Sequence, residues 1–473
     1  MKKVFLLIAA WLMLSNLYGQ TVAQKLQKAF QQFESDSQLK HAISSLYVID
    51  AKTGEVVFDK NSQVGLAGAS TQKIITAATA FELLGKDYRY KTEFFYSKGI
   101  DITNDRHFGL TSSGDPTFGS WRYVSTKGET ILQNLYKAFY SKVLDNKSKT
   151  EDLIFYNSLN DIPDGWIWQD IGNYYGAAPS TLNWNENQYE LIFSSEKIGE
   201  LTKLLEVKPN IPGSIFNNQV LAGGAGSGDN AYIYFSNSND TILIKGTIPP
   251  NQKSFSISGS MPNPARSFLA ELSKYTNDSK RLFPFELIIK EKPYFGTIND
   301  MISGMGPSES RIIYTHYSPA LDSIIYWFLK KSINLYGEAL IQTFNQSKKG
   351  LGLRDTGIVN LKQFWKDKGI DENELNIYDG SGLSPLNRIT THAQVEILKY
   401  AKTKDWFKYF YDALPEYNGM KMKSGTISDV KGFCGYQTSK DGKEYIFSFL
   451  INNYNGRTSG VVNKMYKVLD ELK

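Results

Sequence analysis

Ser70 and Lys73 stand three residues apart, a spacing that puts two side chains on one face of a helix. A serine hydroxyl is a weak nucleophile until a base takes its proton, and a neutral lysine amine can be that base. The amine must then have a lowered pKa, which burial or a nearby positive charge provides. Two further patches complete a histidine-free set: Ser332-Ile333-Asn334 and Lys423-Ser424-Gly425-Thr426. Ser332 can relay protons, and Asn334 can bind a substrate amide and steady Lys73. Lys423 is the candidate second positive charge. Lys423 and Thr426 would grip an anionic group such as a terminal carboxylate, Ser424 is a further candidate substrate-binding residue, and Gly425 permits close approach of another chain. The backbone N–H groups of Ser70 and Thr426 are candidates for an oxyanion hole.

Each patch alone is weak. Ser-x-x-Lys recurs at Ser37/Lys40, Ser194/Lys197 and Ser428/Lys431, Ser-x-Asn at Ser158-Leu159-Asn160, and Lys-Thr-Gly at Lys52-Thr53-Gly54. A polar helix junction would explain Ser332 and Asn334 equally well. Context and order make the case. Gly68-Ala69 precede Ser70, an apolar run from Ile74 to Leu84 follows it, and Gly85 is placed to cap that helix. Ser332-Ile333-Asn334 interrupts a helical region and reads as a loop between two helices. Met420 and Met422 around Lys423 read as strand alternation, here an edge strand able to hold an extended peptide. Lys52-Thr53-Gly54 falls in a predicted hairpin turn.

The elements that must position these residues lie at the two ends of the chain. Val22, Leu26, Ala29, Phe30 and Phe33 recur at helical spacing, followed by strands over 43–48 and 56–58. The chain closes with strands over 433–438 and 445–451 and a helix with Val461, Met465, Val468, Leu469 and Leu472 on one face. The two hairpins are expected to share one antiparallel sheet covered by helices. Residues 93–295 are aromatic, rich in Asn, Ser and Gly, and strand-like; they read as an inserted, mainly β region of two small modules. The glycines of 222–228 lack a GKS/T ending and read as a turn, not a phosphate loop.

The remaining features exclude more than they specify. The 473-residue chain has 41% hydrophobic and 21% charged residues, as a globular protein does, and its net charge of +5 is too weak to argue for nucleic acid. Lys2-Lys3, the apolar run Val4 to Leu14 and the small residues up to Gly19 read as an export signal over 1–19. No Cys follows that run, so a lipid anchor is not expected, and no later segment has the ~18 apolar residues of a transmembrane span. Cys434 is the one cysteine, in an apolar stretch, and reads as core. His41, His107, His316 and His392 show neither a catalytic-triad nor a metal spacing, with His316 the one candidate for a site rim.

The three patches in this order match the S-x-x-K, S-x-N, K-[ST]-G set of penicillin-recognising serine enzymes. Most of the chain further resembles the class C low-molecular-mass penicillin-binding proteins, the D-alanyl-D-alanine carboxypeptidase/endopeptidases. The resemblance runs through Gly68 to Lys73, Ser113-Gly114-Asp115-Pro116-Thr117 and Asp379-Gly380-Ser381-Gly382-Leu383-Ser384. Ser424 stands where that family more often has Thr, Gly68 where it has Pro, and Pro385 where it often has Arg, with Arg388 three residues on.

The resemblance implies a multi-domain α+β fold: a serine transpeptidase-like domain in two segments, 20–92 and 296–473, around the insertion 93–295. It implies a periplasmic serine D,D-peptidase that cuts D-Ala-D-Ala or D-Ala cross-links of peptidoglycan stem peptides through an acyl-Ser70. It also implies covalent β-lactam binding and no cofactor or metal. The family's insertion carries an Asp in a Trp-rich stretch that recognises the cross-linking residue; Gly165-Trp166-Ile167-Trp168-Gln169-Asp170 is similar, making Asp170 a candidate contact for an ammonium group. A β-lactamase, a non-catalytic peptidoglycan-binding scaffold and a broad esterase are the alternatives. The oligomeric state is not legible in the sequence.

Overall fold

A computed structural model describes residues 20–98, 106–143, 150–157, 161–236, 239–276, 286–293, 311–344 and 354–473. The export signal expected over 1–19 and the decoy Ser158-Leu159-Asn160 lie outside these residues. No helix among the described residues is long and apolar enough to cross a membrane. The chain forms two compact units: one of residues through Thr71 with Arg388–Thr403 and Pro415–Lys473, the other of Gln72–Asn387 with Lys404–Leu414.

The first unit is built on one six-stranded antiparallel sheet, in the order Glu416–Tyr417, Met420–Ile427, Val430–Thr438, Glu444–Asn452, Ile43–Asp50, Val56–Lys60. The N- and C-terminal hairpins therefore share a sheet, as expected from the sequence. One face packs on the helices Val22–Glu34 and Thr458–Leu469 through Leu26, Phe30, Phe33, Phe449, Val461 and Met465. Burying each of these large side chains contributes roughly 1.5–3 kcal/mol. The first helix starts on a reciprocal cap, with Gln24 N–H donating to Thr21 Oγ1 and Thr21 N–H to Gln24 Oε1. The helix Thr391–Lys402 packs against the sheet, where Ser448 Oγ donates to Gln394 Oε1 and Tyr436 OH to the Leu398 carbonyl. Both faces are thus covered, which is why the strand Glu444–Asn452 is buried from Tyr445 onward instead of alternating.

In the second unit the helix Lys73–Leu84 is buried on all sides from Lys73 to Phe81. Its sequence accordingly shows no polar stripe. Around it lie helices Leu321–Lys330, Asn334–Thr343 and Arg354–Asp367, with Trp365 Nε1 donating to Thr79 Oγ1 and Trp406 stacked on Phe81. The same unit holds a mixed five-stranded sheet ordered Glu286–Pro293, Thr150–Asn157, Arg106–Ser112, Lys91–Lys98, Arg311–Tyr317, and two three-stranded sheets within 188–260. The last strand of the five lies downstream of residue 295. Residues 222–228 are the turn between strands Ile215–Ala222 and Asn230–Ser236.

Candidate active site

Ser70 lies in a 3₁₀ turn, Ala69–Gln72, that runs directly into the helix beginning at Lys73. The turn is pinned from below. Asn452 accepts from Ala67 N–H and donates to the Ala67 carbonyl, Leu66 and Ile389 exchange backbone bonds, and Gln394 Nε2 donates to Thr71 Oγ1. Ala69 is held at φ +46°, a left-handed conformation that costs a residue with a Cβ. The strain sits immediately before the nucleophile and fixes where its helical turn begins.

The strand Met420–Ile427 passes beneath this turn. A Cβ on Gly425 would lie 2.9 Å from Ser70 N, 2.8 Å from Thr71 N and 2.5 Å from the Gly68 carbonyl oxygen, so only glycine fits. Lys423 is buried and donates to the Ser424 carbonyl at 2.8 Å; Thr426 is exposed. The edge-strand expectation holds for half of this strand. The two-residue strand Glu416–Tyr417 pairs with Met420 and Lys421, while Ser424–Ile427 has no strand on that side among the described residues.

Lys73 is fully buried. Its Nζ donates to Asn334 Oδ1 at 2.6 Å and to the Ser381 carbonyl at 2.7 Å, with the Phe328 ring 5.9 Å away. Burial lowers its pKa to about 7, against the opposing pull of Asp379 and Glu338. The lowering that the sequence reading assigns partly to a second positive charge is supplied by burial.

Asn334 opens the helix Asn334–Thr343, and Ser332 stands just before it at φ +58°, between that helix and Leu321–Lys330. The patch is therefore the inter-helix loop its sequence predicts. Asn334 steadies Lys73 as expected, but its Nδ2 donates to the Tyr175 carbonyl at 2.7 Å. One of its two amide hydrogens is thus taken by the protein. Tyr175 OH in turn donates to Asp170 Oδ1 at 3.3 Å, which ties Asp170 to the Lys73 network. Burial raises the pKa of Asp170.

Asp379 is the residue whose role sequence reasoning misses. It accepts from Trp166 Nε1, Gly382 N, Ser384 N, Asn387 Nδ2 and Gln72 Nε2 at 2.6–3.3 Å. This carboxylate folds the Asp379-Gly-Ser-Gly-Leu-Ser384 loop so that the Ser381 carbonyl meets Lys73, and it anchors the Trp-rich stretch at Trp166. Glu338 accepts from Gly380 N–H at 2.9 Å and is pushed towards its neutral form by burial and by Asp379. The signature run was the available signal; the hub at its centre depends on partners spread over 300 residues of sequence.

Other candidates fall away. Cys434 is fully buried, its thiol pushed up to about 12, so it is an inert core residue. Lys52-Thr53-Gly54 is a turn closed by Asp50, which accepts from the N–H of Lys52 and Thr53. His316 is no rim residue: it is buried against Phe118 with Nε2 3.8 Å from Asp115, and burial lowers it to about 4.

The chain is similar to known proteins over nearly its whole length. A profile of the D-Ala-D-Ala carboxypeptidase 3 (S13) family matches residues 24–416. The D-alanyl-D-alanine carboxypeptidase of Actinomadura sp. (strain R39) is 24% identical over 459 residues, 89% of this chain and 80% of that one. The crystal structure of penicillin binding protein 4 from Haemophilus influenzae aligns with a TM-score of 0.72 at 18% identity, over 94% of this chain and 98% of that one. The same protein complexed with a β-lactam aligns at 0.69 with the same identity and coverage.

Proposed function

The chain belongs to the D-Ala-D-Ala carboxypeptidase 3 (S13) family and is a serine D,D-peptidase, and from that premise we propose that Ser70 is its nucleophile and Lys73 its general base. One observation carries the assignment: three residues after Ser70 stands a buried lysine held by two acceptors, with a pKa lowered to about 7. Asn334 and the Ser381 carbonyl occupy two of the amine's tetrahedral positions. The third carries a proton in the ammonium and a lone pair in the amine. Near pH 7 a large fraction of the protein thus holds a lysine able to accept the Ser70 proton.

Ser70 Oγ attacks the carbonyl of the penultimate D-Ala as its proton passes to Lys73. The oxyanion is met by the N–H groups of Ser70 and Thr426. Collapse breaks the C–N bond; the proton taken up by Lys73 passes through Ser332, supported by the charge of Lys423, to the leaving amine, and Lys73 is neutral again. Water then attacks the acyl-Ser70 as its proton passes to Lys73; the C–Oγ bond breaks, the proton returns from Lys73 to Ser70 Oγ, and the acid leaves. A β-lactam follows the first half of this path and stays attached, since its amine is tethered to the acyl group. Ser424 and Thr426 grip the substrate carboxylate. Asp170, steadied by Tyr175, takes an amine of the stem peptide. These substrates lie outside the cytoplasmic membrane, so the enzyme works in the periplasm.

Release of D-Ala from a stem pentapeptide, and cleavage of a cross-linked dimer, test the reading with wild type and Ser70→Ala. Wild type is expected to act on the first, the second or both, and to be labelled by fluorescent penicillin; the variant is expected to do neither. A fully active Ser70→Ala protein ends the assignment.

A further inference from the structure

Lys431 lies on the strand Val430–Thr438 directly across from Thr426, with Phe433 across from Ser424. Cross-strand partners project from the same face of a sheet, and so do residues two apart on one strand. Ser424, Thr426 and Lys431 therefore share a face, at the stretch where the strand Met420–Ile427 has no neighbour on one side among the described residues. Lys431 Nζ donates to Thr426 Oγ1 at 2.8 Å and lies 4.7 Å from the Phe433 ring centroid. The side chain is 8% exposed, and no carboxylate among the described residues comes within ion-pair distance of it. A buried cation without a counter-ion is a costly arrangement; burial accordingly lowers its pKa to about 8.

The hydrogen bond also sets the polarity of Thr426. A threonine hydroxyl has one proton and two lone pairs. With a lone pair taken by the ammonium, its proton is directed away from Lys431, towards the exposed side. Strand alternation puts this face opposite the one on which Gly425 and Gly432 meet the nucleophile turn, so the two hydroxyls and the ammonium would meet a substrate laid along the strand's edge from its other side.

We propose that Lys431 is a substrate-binding residue that supplies the positive charge for the free carboxylate of the scissile D-amino acid, reading it jointly with Ser424 and Thr426. The inference rests on the D,D-peptidase reading and extends it to a residue outside the three motif patches.

The test compares an N-acylated D-Ala-D-Ala peptide with its C-terminal amide, using the full-length protein and the variants Lys431→Met and Lys431→Arg. A charge-assisted contact of this kind is worth about tenfold to a hundredfold. Lys431→Met is expected to raise KM for the acid by at least about tenfold, to leave kcat nearly unchanged and to leave turnover of the amide unaltered. Lys431→Arg is expected to recover most of the preference for the acid. If Lys431→Met does not fold, as judged by its melting curve, Lys431→Gln is read in the same way. Equal losses on acid and amide would assign Lys431 a structural role and overturn the proposal, as would a variant identical to wild type. A wild-type protein that hydrolyses neither substrate overturns the D,D-peptidase reading and this inference together. Turnover with an unchanged acid-to-amide ratio overturns this inference alone.

Discussion

Asn334 Oδ1 accepts a hydrogen bond from Lys73 Nζ at 2.6 Å, while the other end of the same amide is held by the Tyr175 carbonyl. The amide is thereby fixed in orientation, oxygen towards the amine, and cannot rotate to suit a different charge state of Lys73. Asn334→Leu removes one of the two acceptors shown for this buried amine. A hydrogen bond to a charged group contributes about 1.5–3 kcal/mol, so acylation by benzylpenicillin is expected to slow by roughly ten- to a hundredfold. Asn334→Asp is the sharper experiment. A carboxylate at this position favours the ammonium and raises the lysine pKa, so the loss at pH 7 is expected to be recovered progressively in alkaline buffer. A variant whose acylation rate does not change with pH relative to wild type would remove Asn334 from the base's environment.

The wild-type pH profile follows from the same amine. A lysine with its ordinary pKa of about 10.4 is neutral in well under one molecule in a thousand at pH 7, whereas Lys73, lowered to about 7, is neutral in about half. The base form gains population as pH rises, so the rate of Ser70 acylation is expected to climb through an acid limb centred near pH 7 and then level off. Stopped-flow acylation between pH 5 and 9 measures this. A rate still rising in proportion to hydroxide at pH 9 would mean that Lys73 is not the group losing the proton.

Gly425 is expected to be intolerant of the smallest side chain. The methyl of Gly425→Ala would overlap Gly68 O, Thr71 N and Ser70 N, all backbone atoms of the nucleophile turn. Relief requires moving the turn, so penicillin labelling is expected to fall by more than a hundredfold. The stability cost stays within the range of core overpacking, about 1–3 kcal/mol. Gly224→Ala is the control: nothing lies within 4 Å of a Cβ there. It is expected to melt and label like wild type.

These residues also show what sequence makes visible and what it hides. The terminal helix, the two hairpins and the helix after Ser70 are legible because each is a local pattern: Leu26, Phe30 and Phe33 on one stripe, strand runs joined by the turn residues at Gly442, an apolar run closed by Gly85. The same is true of the loop at Ser332, where two polar residues two apart cannot share a helix face. The five-stranded sheet is not legible, since Glu286–Pro293 lies parallel to Thr150–Asn157 and the pairing leaves no mark in either segment. Nor is the second acceptor for Lys73. It is the backbone carbonyl of Ser381, and a carbonyl gives no residue type to find. Lys431 enters a sequence reading only as the end of a Ser-x-x-Lys decoy, because its importance depends on cross-strand register.

Asp379 offers the most demanding test of this arrangement. Five donors converge on its carboxylate, among them the indole of Trp166 and the amide groups of Gly382 and Ser384. Asp379→Ala leaves these buried donors without their acceptor, each at a cost of about 1–3 kcal/mol before any rearrangement. The variant is therefore expected to be severely destabilised in denaturant titration, by about 3–5 kcal/mol. Asp379→Asn separates organisation from charge. It keeps the shape but turns one acceptor into a donor facing donors, so the loop carrying the Ser381 carbonyl should loosen. At the same time Lys73 loses a neighbouring negative charge that favours its ammonium form. If the variant folds, the acid limb of its acylation profile is expected to move below that of wild type, with a lower plateau. A limb that stays where it is in wild type would show that the charge of Asp379 does not reach Lys73, and an unchanged plateau that the loop is held by something other than this carboxylate.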